Sequence, residues 1–482
     1  MSIPSKLKNS FYILLFFSTI SGCQKTPSPR QLLPPLPQDP LIQVYFNHAQ
    51  SSEYQESYRL QTRLGDDLEN QIIHSILQAQ STIDVAVQEL RLPKIAQALI
   101  EKQRAGVQIR LILENQYSLP WQDINFRVVE NLPLRKKNKL QTLRSLIDIN
   151  KDGEITSEEI KQRDAIAMIQ NSQIPWIDDT ADGSKGSGLM HHKFMVIDSK
   201  LVIISSANFT PSDTFGDVNN LHSLGNANNL VKIESPELAN LFTQEFNIMW
   251  GDGPGGKLDS KFGLQKPQRP WQKITAGNTQ ITVKFSPLSR TQIWSKSTNG
   301  LIGRTLNMAV ENIDMALFVF SDQKIANILE NRHNQNVKIR ALIDAQFAHR
   351  YYSEGLDMMG ISISDNCKYE KDNRPWQNPI TTVGVPRLLP GDILHHKFAV
   401  IDQQIVITGS HNWSEAANHN NDESLIILEN PTVAAHFQRE FHRLYQTIKL
   451  ELPSTIKAKI DQEIQECLPV ETQSLTKKSL SC

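Results

Sequence analysis

His191-x-Lys193, with Asp198 completing an H-x-K-x4-D pattern, recurs 204 residues later as His395-x-Lys397 with Asp402. Each copy runs on into a small-Ser-x-Asn turn, Ser205-Ser206-Ala207-Asn208 in the first and Gly409-Ser410-His411-Asn412 in the second. Histidine changes charge near neutral pH, so a pair in opposite protonation states supplies one nucleophile and one acid. Two lysines and two asparagines supply charge and hydrogen bonds for the non-bridging oxygens of a phosphate. Such a set can attack phosphorus, protonate a departing alkoxide and pass through a covalent phosphohistidine that water or another alcohol resolves. A lone His-x-Lys on a strand is more often a surface or capping feature. Two copies at matching polar positions describe two equivalent half-sites. His192 and His396 fill the variable position, point to the other strand face and are assigned no chemistry.

The elements that must position these residues repeat as well. Residues 83–87 parallel 313–317, and residues 107–112 parallel 337–342, both pairs offset by 230. Each half reads as a strand (44–46; 281–285), a helix (66–79; 300–312), then strand, helix and strand. His191 and His395 fall near the starts of strands 194–197 and 398–401. Short β-branched runs alternating with amphipathic helices predict two tandem α/β sandwich domains with mixed β-sheets, related by a pseudo-two-fold duplication, with the site at their interface.

The duplicated motif resembles the phospholipase D superfamily over nearly all of residues 41–450. That resemblance implies a phosphoric diester hydrolase built on His191, Lys193, Ser206, Asn208, His395, Lys397, Ser410 and Asn412, without a catalytic metal, and with Asp198 and Asp402 largely structural. In the family a later carboxylate orients the histidine. Glu423 fits that position in the second half, and Asn228 takes it in the first, after a nine-residue expansion around residues 210–224 that also brings Asp217. Family habit makes His191 the nucleophile and His395 the acid. Glu423 read as the partner of His395 argues the reverse; the family order is adopted here. The expected substrate is a glycerophospholipid cleaved on its headgroup side at a membrane surface. The alternatives are an envelope-associated endonuclease acting on DNA, a phosphatidyltransferase, or a calcium-dependent binding protein with a degenerate site. Fifty basic residues against 51 acidic ones argue against broad nucleic-acid binding. Two motifs in one chain predict a monomer with an internal pseudo-dimer.

The offset falls from 230 to 204 before the motifs, so the first half holds 26 extra residues. Asp148 to Glu159 reads D-x-N-x-D-G-x5-E, an EF-hand calcium loop: Asp148, Asn150, Asp152 and Glu159 offer side-chain oxygens, Glu154 its carbonyl, and Gly153 the sharp turn. Residues 140–147 and 160–169 are the expected flanking helices of an insert spanning about 140–170. Lys6 and Lys8, the apolar run 11–17 and Ile20-Ser21-Gly22-Cys23 read as a lipoprotein signal peptide over residues 1–22. An exported bacterial lipoprotein is expected, anchored through acylated Cys23 and facing the periplasm or the exterior. A proline-rich tether (23–40) then holds the body off the bilayer. Two domains follow (41–251 and 276–450), joined by a linker (252–275), before a tail (451–482) with one amphipathic helix. Cys367, Cys467 and Cys482 leave room for one disulfide. Phe209 and Trp413 follow the two asparagines as packing residues, and Trp121, Trp176 and Trp376 are expected near the entrance.

Overall fold

Runs such as Thr82–Val87 and Asn312–Leu317 are almost wholly buried, as strands covered on both faces must be. They belong to two large mixed sheets, one in each half. The computed structural model describes residues 32–125, 131, 133–184, 188–448, 450 and 452–467; residues 1–22, read above as a signal peptide, Cys23, the start of the expected tether and Cys482 lie outside them. The first sheet holds β1 (Ile42–Phe46), β2 (Thr82–Val87), β3 (Gln108–Leu113), β4 (Trp176–Asp178), β5 (Lys193–Ile197), β6 (Leu201–Ser205) and β7 (Asn229–Glu234), ordered β1-β7-β6-β5-β2-β3-β4. The second holds β8 (Gln272–Ala276), β9 (Thr279–Phe285), β10 (Asn312–Leu317), β11 (Lys338–Ile343), β12 (Val383–Gly384), β13 (Lys397–Ile401), β14 (Ile405–Gly409) and β15 (Ser424–Glu429). Its order, β8-β9-β15-β14-β13-β10-β11-β12, repeats the first from β9 onward. In both sheets the motif strand runs antiparallel to its neighbour, placing Lys193 opposite Val87 and Lys397 opposite Leu317. The next pair, β2–β3 or β10–β11, is parallel. The α/β expectation with mixed sheets holds.

Helices cover the sheets in layers. The outer ones are α1 (Leu68–Gln78) and α2 (Pro93–Arg104) in the first half, to which the insert adds α3 (Leu134–Ile147) and α4 (Ser157–Arg163). Then come α5 (Pro236–Trp250), α6 (Thr298–Leu306), α7 (Gln323–His333), α8 (Pro431–Tyr445) and α9 (Ser454–Glu466). Helices α5 and α8 start alike, with Ser235 or Asn430 accepting backbone N–H groups at the N-cap and proline at the first helical position. Their apolar faces, with residues of both sheets, make one core shared by the two halves. That shared core locks the two motif strands against each other. The second-half helix stops at Leu306, earlier than expected, with Asn307 as its C-cap.

Three segments are more firmly docked than their compositions suggest. The linker buries Phe262 and carries Lys266 to within 2.5 Å of both Glu245 of the first half and Asp422 of the second. Its last residues open β8. Residues 32–39 of the tether lie on α8, where Arg439 donates to Pro34 O at 2.7 Å and His436 bonds Pro37 O at 3.0 Å. Proline lacks a donor but keeps its carbonyl, so a proline-rich strand can still be held by an arginine. Helix α9 is tied to the second half by a Cys367–Cys467 disulfide and by Ser364 N donating to Glu463 at 3.2 Å. Among the described residues no helix is long and apolar enough to cross a membrane.

Candidate active site

Strands β5 and β13 open on Lys193 and Lys397, and the two histidines lie just ahead of them at the junction of the halves. There Met190 pairs with Asp422, and Ala227 with Leu394, as isolated parallel bridges. Each bridge sets the next residue of one half against the next of the other. His191 Nδ1 therefore lies 2.7 Å from Glu423 Oε2, and His395 Nδ1 lies 3.0 Å from Asn228 Oδ1. The pairing is crossed. Glu423, read from sequence as the partner of His395, serves His191 instead.

Each acceptor is held by the serine of its own half. Ser410 Oγ donates to Glu423 Oε2, and Ser206 Oγ to Asn228 Oδ1, both at 2.7 Å. Those hydroxyls in turn accept from Ser424 N and Asn229 N at 3.0 Å. An ionised carboxylate only accepts, so the proton of His191 sits on Nδ1 and Nε2 keeps its lone pair. Asn228 Nδ2 donates to Asp213 O at 3.0 Å and to Asn226 O at 3.3 Å, which fixes Oδ1 toward His395.

Electrostatics divide the site further. Burial first, and then the ammonium groups of Lys193 and Lys397, hold the His191 pKa well below its ordinary value, so its imidazole is neutral. Burial also brings Lys193 down to about 8, leaving it mostly charged at neutral pH. Its Nζ donates to His191 O at 2.8 Å and Gln88 Oε1 at 3.2 Å, while Lys397 Nζ donates to His395 O at 2.5 Å. Burial pushes Glu423 upward, against the charges of His411 and Lys193 and the hydrogen bonds of Ser410 and Asn421. A neutral imidazole backed by a carboxylate thus shares a cleft with one backed by an amide. Asn208 Oδ1 and Asn412 Oδ1 are buried without a hydrogen-bond partner in the protein.

Other sequence expectations meet different fates. Asp198 and Asp402 follow the far ends of β5 and β13, about 17 Å of strand from the histidines. They do not join the site. Asp198 accepts the backbone N–H groups of Gln80, Ser81 and Thr82, and Asp402 those of Val310, Glu311 and Asn312. Asp402→Ala should therefore lower stability by roughly 1–3 kcal/mol, read as an earlier denaturant midpoint, without changing kcat/KM of the folded protein. His192 and His396 turn to the opposite face and bond buried Glu245 and Glu440 at 3.1 and 3.0 Å.

The carboxylate nearest His395 is Asp213, 3.8 Å from Nδ1, and not Asp217, which is bonded to Ser212. Asp213 also accepts from Asn208 N at 2.9 Å and Asn208 Nδ2 at 2.8 Å, so this amide is already partly engaged. Sequence reasoning missed Asp213; its signal was Thr210-Pro211-Ser212-Asp213, a capped helix start. Phe209 and Trp413 are core residues. Trp121, Trp176 and Trp376 pack into hydrophobic clusters of the two halves and the insert.

In the insert, α3 starts at Leu134 and α4 ends at Arg163, because Asp164 caps a separate turn. Between them the loop folds its N–H groups onto its own oxygens: Gly153 N to Asp148 Oδ2, Asp152 N to Asn150 Oδ1, Glu154 N to Asp152 Oδ1. Asp148 Oδ1 is buried and unpartnered, which suits a cation. Glu159, however, spends its carboxylate on Ile149 N and on a capping box with Thr156. Among the described residues no group of three or more His, Cys, Asp or Glu side chains is gathered as a metal site.

Residues 72–250 and 302–445, about two thirds of the chain, match the family described as cardiolipin synthase, PLD-like domain. Over 144 residues the chain is 27% identical to the mitochondrial cardiolipin hydrolase of Chlamydomonas reinhardtii, covering 30% of this chain and 56% of that protein. Over 136 residues it is 29% identical to a phospholipase D of Rickettsia felis, covering 28% of this chain and 58% of that one. It thus spans little more than half the length of these curated relatives. The crystal structure of phosphatidylserine synthase from Haemophilus influenzae aligns over 92% of this chain and 93% of its own, with a TM-score of 0.51 and 10% identity, a likeness of fold. With one family match in each half and a histidine–lysine pair in each, the chain belongs to the phospholipase D-like family of the cardiolipin synthases.

Proposed function

We propose that this chain is a phosphodiesterase that hydrolyses the headgroup bond of glycerophospholipids through a phosphohistidine on His191. The observation that carries the reading is the unequal crossed pair, His191 on Glu423 and His395 on Asn228. His191 Nε2 attacks phosphorus while the bond to the headgroup oxygen breaks, and that oxygen takes a proton from His395. Water then gives a proton to His395, its oxygen bonds phosphorus, and the phosphorus–nitrogen bond breaks to leave phosphatidate and neutral His191. Lys193 and Lys397, with Asn208 and Asn412, neutralise and bond the non-bridging oxygens as charge accumulates. Relatives named for cardiolipin hydrolysis and phospholipase D activity, and a near-balanced net charge, favour a lipid over DNA.

Calcium, on this reading, is structural. Asp148, Asn150, Asp152, Glu159 and the Glu154 carbonyl would hold it and tie α3 to α4, and no chemical step uses it.

The test incubates the chain from residue 24 onward with choline- and glycerol-headgroup vesicles, plasmid and single-stranded DNA, each in calcium and in chelator. Headgroup release that persists in chelator is expected; DNA nicking without headgroup release would establish the endonuclease instead. Calcium at a hundredfold over its Kd should stabilise the fold by about 2.7 kcal/mol, seen as a higher thermal midpoint that Glu159→Gln removes. An unmoved midpoint would discard the calcium site.

A further inference from the structure

A cavity of about 390 Å³ opens between the first half and the insert helix α3. Small-molecule sites span about 300–1,000 Å³, so the volume is that of a ligand pocket. Its insert wall is apolar, made by Leu140, Leu143 and Leu146 at helical spacing. The opposite wall is built from residues that adjoin the active site along the chain. Glu89 follows Gln88, the residue that accepts from Lys193 Nζ, and Thr210 to Ser212 come just after Asn208; all four line the cavity. At that edge Lys139 Nζ lies 2.5 Å from Glu89 and 4.7 Å from the centre of the Tyr117 ring, and exposed Lys136 adds a second cation.

An apolar chamber with a cationic rim, next to two phosphate-binding lysines, suits an amphiphile. The chain would enter the chamber and the phosphate would stay at the rim. A nucleic-acid strand gains little there, because it is held along a basic track with aromatic platforms for its bases and has no aliphatic part to bury. Helix α3 lies in the interval where the first half is 26 residues longer, so the wall it supplies belongs to the insert.

We propose that this cavity is an acyl-chain subsite, taking one fatty acyl tail of a phospholipid whose phosphate lies between His191 and His395. The inference rests on the phospholipase reading above and assigns the tail to the insert. Its test is a chain-length series of monomeric phosphatidylcholines and phosphatidylglycerols with four-, six- and eight-carbon chains. For the unsubstituted protein kcat/KM should rise about fourfold for each methylene that enters the cavity, through KM and not kcat. Leu140→Trp, from a half-buried position on the wall, should flatten that series at least tenfold by occupying the space. A flat series in the unsubstituted protein would overturn the subsite even if the variant fails to fold. So would a folded Leu140→Trp protein with an unchanged slope. DNA nicking without turnover of any lipid would remove the phospholipase reading itself, and the subsite with it, an outcome distinct from a flat lipid series.

Discussion

His191→Ala should lower the turnover of any phosphodiester by on the order of 10⁴-fold or more, whatever its leaving group. The nucleophile forms the bond to phosphorus, so no property of the departing oxygen replaces it. His395→Ala should be comparably damaging for a choline or glycerol headgroup, whose alkoxide cannot leave without a proton. With a p-nitrophenyl ester it should recover the first step alone, seen as a burst of p-nitrophenolate, because that phenolate departs unprotonated while the phosphohistidine still lacks the base that activates water. The contrast between the two alanine variants identifies which histidine does what, and rescue of His191→Ala instead would exchange the roles. Both proteins should fold, since Glu423 keeps the Ser410 and Asn421 donors when His191 is removed. The pH profile gives a second check. His191 is held well below its ordinary value of 6.5, so its nucleophilic, unprotonated form persists below that pH and the acid limb of kcat/KM lies there. The acid must carry its proton, so activity on choline or glycerol headgroups should fall on the alkaline side. With the p-nitrophenyl ester that alkaline limb should vanish.

Glu423→Gln should cost about 10²- to 10⁴-fold in kcat, the range seen when a carboxylate behind a catalytic histidine loses its charge. The amide oxygen can still accept from Ser410 and from His191, so their geometry is kept, while the charge and the hydrogen bond from Asn421 Nδ2 are lost. In this buried site that charge steadies the cationic ring formed when His191 is phosphorylated. The substitution makes both histidines amide-backed, as His395 already is. Loss of the negative partner lowers the His191 pKa further, so the acid limb should move to lower pH while the plateau falls. A role confined to packing would drop the plateau and leave the limb in place. Activity within threefold of the unsubstituted protein would refute the assignment.

The half-sites and the α/β class were legible because they are local: a motif spacing, an offset between repeats, an alternation of strand and helix. The crossing of partners was not. Glu423 stands 28 positions after His395 and 232 after His191, so proximity along the chain points to the wrong histidine. Only the bridges at Met190–Asp422 and Ala227–Leu394 decide it, and they join strand ends that share no sequence pattern. Asp213 escaped notice for a related reason, since it comes from the expansion that breaks the repeat. The docking of the tether and linker was not legible from their proline and glycine content, since it rests on distant partners: Arg439 holds the tether and Glu245 and Asp422 hold Lys266 of the linker.

The crossed pairing also bears on how the protein comes into being. A chain made from its N-terminus presents His191 and Lys193 long before residue 423 exists, and halves parted from each other leave His191 and Glu423 in different fragments. In either case the histidine lacks the carboxylate that aims it, and His395 in the other fragment lacks Asn228. Neither half holds a working pair by itself. On the proposed function, phosphodiester cleavage therefore waits for the polypeptide to be complete and its halves to dock.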